Sequence, residues 1–166
     1  MPDITFKGQP VTLAGTLPSV GQVAPDFTLA AADLTDLRRD DLKGRKAVLS
    51  ISASLDTGTC ALAAKAFNAR LAGRDDVEVV YISSDLPFAA KRFCEAESLA
   101  KIRTASVFRS PEFGRDYGVG ILSGPLRGLL ARAVLVLDEQ GVVRHAQLVP
   151  EIAREPDYDE ALKALG

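Results

Sequence analysis

Two apolar runs, residues 47–52 and 77–83, are each followed at once by a helical pattern, and this restricts what the 166-residue chain can become. A strand with apolar side chains on both faces must be covered on both faces, as in a parallel sheet flanked by helices. After the first run, Cys60, Ala64, Phe67 and Leu71 recur at i, i+4, i+7 and i+11, one face of a helix. After the second, Ser84-Asp85-Leu86-Pro87 leads into a helix expected over about 87–94, with Asp85 as its cap and Arg92-Phe93-Cys94 at its close. Strand, helix, strand, helix in this rhythm makes βαβ units.

The flanks add to this frame. Ile4-Thr5-Phe6 and Val11-Thr12-Leu13 around Lys7-Gly8-Gln9-Pro10 predict an N-terminal β-hairpin. Residues 14–25, with Gly15, Pro18, Gly21 and Pro25, read as a surface connection, Phe27-Thr28-Leu29 as a short strand, and 34–42 as loop or a helical turn. The glycine- and proline-rich stretch from 104 to 128 predicts one short helix, 110–117, and an irregular loop, 118–128. Residues 133–138 and 142–148 around Glu139-Gln140-Gly141 give the strongest hairpin signal in the chain. A helix over 157–165 follows, with Tyr158, Ala161, Leu162 and Leu165 on one face. The expected fold is α/β and thioredoxin-like: a central mixed sheet flanked by helices, with an N-terminal hairpin, as a single domain over 1–166.

Cys60 falls in the first turn of its helix, with Asp56 or Thr57 as N-cap. Unpaired amides and the positive end of the helix dipole favour a thiolate there. Thr57, three residues earlier, puts its hydroxyl on the face of the sulfur. Cys94, like Cys60, follows the carboxyl end of a parallel strand, the edge where ligands and active sites gather in open α/β sheets. The residues alone leave two readings open, a pair of unrelated buried cysteines or a redox pair. Arg132, entering an apolar strand, needs a partner: a thiolate is one candidate, and a carboxylate such as Asp56 or Asp138 the commoner one. His145 reads as a satisfied structural histidine and Asp56 mainly as a cap.

Other functions are disfavoured. A net charge of -2 gives no nucleic-acid footprint, and no Lys/Arg cluster suggests a membrane surface. No run approaches the ~18 apolar residues of a membrane span. The start, Met1 to Lys7, lacks the pattern of a signal peptide, so a cytoplasmic protein is expected. One histidine and two cysteines without C-x-x-C make zinc improbable, and the 118–128 loop lacks a phosphate-binding pattern.

Several separate blocks resemble the bacterial thiol peroxidases, atypical two-cysteine peroxiredoxins. They are Asp56-Thr57-Gly58-x-Cys60, Ser83-Ser84-Asp85-Leu86-Pro87-Phe88-Ala89 running to Arg92-Phe93-Cys94, and Gly124-Pro125-Leu126-x-Gly128-Leu129-x-Ala131-Arg132-Ala133-Val134. Phe6-Lys7-Gly8-x-Pro10-Val11 and Glu155-Pro156-Asp157-Tyr158 extend the match over nearly the whole chain. The resemblance implies a peroxidatic Cys60, a resolving Cys94 in the same subunit, Thr57 bonded to thiolate and peroxide, and Arg132 lowering the thiolate pKa. It also implies hydrogen peroxide and alkyl hydroperoxides as substrates, thioredoxin as reductant, a homodimer, and no metal, flavin or nucleotide cofactor. A peroxide sensor using the same cysteine pair is the alternative, distinguished by stoichiometric oxidation rather than turnover. One departure stands out: the proline usual seven residues before the peroxidatic cysteine is Ala53 here. That leaves backbone freedom to remove on folding and an extra amide to satisfy, but touches no reacting group. Thr59, where valine is common, is a milder change.

Overall fold

The computed structural model describes residues 4–166; Met1, Pro2 and Asp3 of the N-terminal reading above lie outside them. A seven-stranded mixed sheet has the order β4-β3-β7-β6-β5-β8-β9. Its strands are β3 (Thr28–Ala31), β4 (Asp36–Arg38), β5 (Lys46–Ile51), β6 (Val77–Ser83), β7 (Ile102–Ser106), β8 (Ala133–Leu137) and β9 (Val143–Leu148). The central strands β5, β6 and β7 run parallel, as the βαβ rhythm demands, and β3, β4, β8 and β9 extend the sheet antiparallel. A separate hairpin pairs β1 (Ile4–Phe6) with β2 (Gln9–Val11). The helices are α1 (Gly58–Leu71), α2 (Pro87–Ala96), α3 (Glu112–Asp116) and α4 (Tyr158–Leu165). Among the described residues, no helix is long and apolar enough to cross a membrane.

Strand alternation sends successive side chains to opposite faces of the sheet. Val48, Val77, Val79, Tyr81, Val134 and Val136 face a core made with Cys60, Ala64, Phe67 and Leu71 of α1, Ala90 of α2, and Ala161 and Leu165 of α4. Leu49, Ile51, Val80, Ile82 and Leu135 face the other core, which Phe27, Phe113 and Tyr117 close. Here the aromatic rings pack edge-on and stacked, Phe113 on Tyr117 at 4.5 Å between centroids. The predicted face of α1 is buried at every position named.

Several expectations need correction. The hairpin turn is Lys7-Gly8, both with positive φ (50° and 79°), so the second arm begins at Gln9 rather than Val11. Two such residues match the twist of a two-residue hairpin. Pro10 fits opposite Thr5 because Thr5 sends its own N–H outward, to Pro150 O at 2.8 Å. Residues 36–38 form strand β4 rather than loop, while 39–42 make the expected helical turn, of 3-10 type. The sequence reading had no strand at β7. α2 runs on to Ala96, so Cys94 lies in its last turn, and α3 is shorter than 110–117. Asp85 does not cap α2, whose N-cap is Leu86 with no side-chain bond.

Candidate active site

The carboxyl ends of β5 and β6 and the start of α1 bring the site together. Thr57 is the N-cap of α1, in extended conformation, and its Oγ1 accepts a bond from Cys60 N–H at 3.3 Å. Of the two caps expected, Thr57 is therefore the one used. Its hydroxyl reaches Ser54 O at 3.2 Å. Cys60 is fully buried in the first turn, which carries no acidic side chain to oppose a negative sulfur.

Arg132 reaches the same sulfur from the neighbouring strand. β5 pairs antiparallel with β8 in a register that sets Ile51 against Ala133, so the next residues along, Ser52 and Arg132, also face each other. The guanidinium is 3% exposed and fully engaged. Nε donates to Ile152 O at 3.0 Å, one terminal nitrogen to Ser52 Oγ at 2.9 Å, and the other to Cys60 Sγ at 3.1 Å. Neither carboxylate considered for it is its partner: Asp138 pairs with Arg144 at 2.7 Å, and Asp56 is exposed. Among the described residues, no carboxylate forms a salt bridge with Arg132, which leaves the sulfur as its counter-charge.

Burial pushes the Cys60 thiol up, but the Arg132 charge and hydrogen bonding from Ser52, Thr57 and the Ser54 backbone outweigh it, leaving the pKa below the ordinary thiol value. Cys94 has burial without compensation, so its pKa is raised. The two sulfurs thus differ, Cys60 being biased toward the thiolate and Cys94 toward the thiol. Both cysteines are free, and Cys94 is half-buried on a groove bordered by Lys91, Ser98, Leu99 and Ile102. That groove includes neither Cys60 nor Arg132.

Sequence reasoning missed four supports. Ser52, wholly buried at the end of an apolar strand, carried a signal in being polar there, but its partner lies across the sheet. Tyr81 donates to Cys60 O at 3.0 Å from below the helix start. Asp85 binds the turn before α1, accepting from Ser54 Oγ and Leu55 N–H, each at 2.7 Å. The segment 150–153 supplies Ile152 O to Arg132, and Ala153 O to Thr59 Oγ1 at 2.9 Å. β1 holds this segment through Thr5, and Glu151 accepts from Gly8 N–H at 2.9 Å, so the N-terminal hairpin braces the arginine.

His145 is not fully satisfied: its Nε2 is buried with no partner among the described residues. Burial lowers its pKa, with Glu160 and Asp157 opposing. It lies on β9 and makes no bond to the Cys60 cluster. Among the described residues, no group of three or more His, Cys, Asp or Glu side chains could hold a metal ion.

The Redoxin family profile matches residues 19–162. The chain is 47% identical to a thiol peroxidase of Vibrio cholerae over 162 residues, covering 98% of this chain and 99% of that one. It is 46% identical over 166 residues to a thiol peroxidase of Mycobacterium bovis, covering 100% and 99%. The crystal structure of a peroxiredoxin-like protein from Aquifex aeolicus superposes with a TM-score of 0.93 at 41% identity, covering 99% of this chain and 96% of that one.

Proposed function

The chain belongs to the bacterial thiol peroxidase family of redoxins, and from that premise we propose that Cys60 is its peroxidatic and Cys94 its resolving cysteine. The observation that carries this reading is the buried Arg132 guanidinium on Cys60 Sγ at 3.1 Å. The Cys60 thiolate attacks the distal oxygen of hydrogen peroxide or an alkyl hydroperoxide. The O–O bond breaks, an S–O bond forms, and water or an alcohol leaves with one proton. Arg132, Thr57 and the first-turn amides stabilise the charge moving between the two oxygens, the electrostatic form of catalysis. The Cys60 sulfenic acid then condenses with the Cys94 thiol, giving a disulfide and water. A thioredoxin dithiol reduces that disulfide by exchange, returning both thiols and becoming a disulfide itself. The working form is a cytoplasmic homodimer.

The test is intact mass with free-thiol counting after one equivalent of cumene hydroperoxide, on the wild type and on Cys94→Ser. The expected wild-type product has lost two hydrogens and both thiols, and the variant has gained one oxygen. Retention of all thiols in both proteins would overturn the reading. Turnover with thioredoxin, thioredoxin reductase and NADPH separates an enzyme from a sensor that is oxidised once.

A further inference from the structure

The carboxylate of Asp85 joins the two cysteine-bearing segments at their base. Oδ1 accepts from Ser54 Oγ at 2.7 Å, and Oδ2 accepts from Leu55 N–H at 2.7 Å and from Ser83 Oγ at 2.8 Å. Asp85 N–H returns a bond to Ser83 Oγ at 3.2 Å. Ser54 Oγ in turn accepts from Asp56 N–H at 3.1 Å, and Ser54 O accepts from both the N–H and the hydroxyl of Thr57 at 3.2 Å. Thr57 Oγ1 then holds Cys60 N–H. An unbroken series of hydrogen bonds therefore runs from Asp85 to the reacting residue.

Asp85 is also two residues ahead of Pro87, the first residue of α2, and that helix has no side-chain cap of its own. Among the described residues, no lysine, arginine or histidine forms a salt bridge with Asp85, so its charge is spent on these hydroxyls and this amide. Charge-assisted bonds of this length are the strong ones.

We propose that Asp85 is a positioning residue, a clasp that holds the Ser54–Thr57 turn against the β6–α2 junction and so divides the catalytic cycle between its two steps. The inference rests on the peroxidase reading above. With the clasp closed, Thr57 is aimed and Cys60 stays in the first turn of α1, the arrangement for peroxide attack. The disulfide requires the other arrangement. In the structure both cysteines are free, Cys60 wholly buried with Arg132 on its sulfur and Cys94 within the last turn of a formed α2, so one of the two segments must shift for the sulfurs to bond. Opening is a local unfolding event, whose barrier falls as the bonds holding the segment are removed. Loss of the clasp therefore slows the first step and speeds the second.

The experiment is rapid-mixing kinetics with cumene hydroperoxide on Asp85→Asn, which keeps the shape but removes the charge and one acceptor. Cys60 oxidation is read in a Cys94→Ser background and disulfide formation in the two-cysteine protein. The pKa of Cys60 is read by alkylation against pH. Peroxide reduction should fall about tenfold or more, the size expected for one lost charge-assisted bond. Disulfide formation should become severalfold faster, while the Cys60 pKa rises only slightly, because Arg132 and Ser52 still act on the sulfur when the Thr57 and Ser54 bonds loosen. Asp85→Glu should recover part of both effects, and Ser54→Ala, which removes one donor of the clasp, should move both rates in the same directions by less. If both steps are unchanged, fall together, or follow a shifted Cys60 pKa, Asp85 is no clasp. A wild type that peroxide does not oxidise would instead sink the parent reading, and this inference with it.

Discussion

Replacing Arg132 by methionine removes a buried positive charge while keeping much of the side chain's length. The guanidinium nitrogen lies 3.1 Å from Cys60 Sγ. At that distance and an effective dielectric of about 20, a unit charge pair attracts by about 5 kcal/mol. Water entering the vacated space screens part of this, but the loss of the charge should still raise the Cys60 pKa. Burial, the opposing influence on Cys60, then acts without its main compensation, and the thiol should titrate above its ordinary value.

That shift makes a crossing pattern. At any pH below both pKa values, each unit of rise lowers the thiolate fraction about tenfold. The more basic thiolate is intrinsically about threefold more nucleophilic per unit, so alkylation by iodoacetamide should fall only about threefold per unit there. Above both pKa values the variant should be alkylated faster than the wild type. Peroxide reduction should fall further, by about 100- to 1000-fold more than alkylation, because the arginine also meets charge developing on oxygen. Arg132→Lys keeps the charge but not the fork that also binds Ser52 and Ile152, so it should recover the pKa better than the peroxide rate. The assay is alkylation and peroxide kinetics against pH in a Cys94→Ser background, with circular dichroism to establish folding. A Cys60 pKa within about half a unit of the wild type in a folded Arg132→Met protein would refute the counter-charge argument.

Three other outcomes follow from particular contacts. The folded-state pKa of Cys60 is depressed, so its contribution to stability is present above the unfolded thiol pKa and lost as pH falls through the folded value. Cys94, raised by burial, has the opposite sign, contributing below its ordinary pKa and losing that as pH rises. Urea unfolding under reducing conditions should therefore show the wild type gaining on Cys60→Ser as pH rises through the window below the ordinary thiol pKa, and a pH-independent gap would count against it. Gly118→Ala should destabilise by at least about 2 kcal/mol, because Gly118 has φ 68° and a Cβ would lie 2.2 Å from the Thr16 backbone; an unchanged urea midpoint would refute this. Ala53→Pro should raise stability by about 0.4–1 kcal/mol, since Ala53 N–H finds no acceptor among the described residues and the ring removes freedom from the unfolded chain; a lower midpoint would show that the backbone there cannot take a proline.

What could be read in the sequence was local. The buried face of α1 and its Thr57 cap depend on residues within a few positions of one another, so periodicity and capping chemistry suffice. β7 escaped because Thr104 and Ser106 are buried polar residues between β6 and β3, and no alternation marks them as strand. β4 escaped because only Leu37 of its three residues is buried, and its strand character comes from pairing with β3. Asp85 looked like a cap because an acidic residue before a helix usually is one. Besides Ser83, its partners are Ser54 and Leu55, about thirty positions earlier, on a turn that only the parallel pairing of β5 with β6 brings alongside.

The partner of Arg132 shows the same limit at the site itself. Sequence placed an arginine at the entry of an apolar strand and left thiolate and carboxylate both open. Register decides between them. β8 alternates Val134 and Val136 toward the core that contains Cys60, against Ala133, Leu135 and Leu137 toward the other core. Arg132 continues the first set, and the Ile51–Ala133 pairing sets it beside Ser52, one helix start away from the sulfur. Ala133 also pairs with Leu148 of β9, and Val149 N–H donates to Arg132 O at 3.0 Å, so the chain leaving β9 passes near enough for Ile152 O to take the third bond. A slip of one residue between β5 and β8 would turn the guanidinium to the opposite core, among apolar side chains. The buried charge would then have no sulfur to face, and Cys60 would have only the hydrogen bonds of Ser52, Thr57 and the Ser54 backbone to set against burial. The same pairing that closes the apolar core therefore also sets the Arg132 charge against the Cys60 sulfur and favours its thiolate.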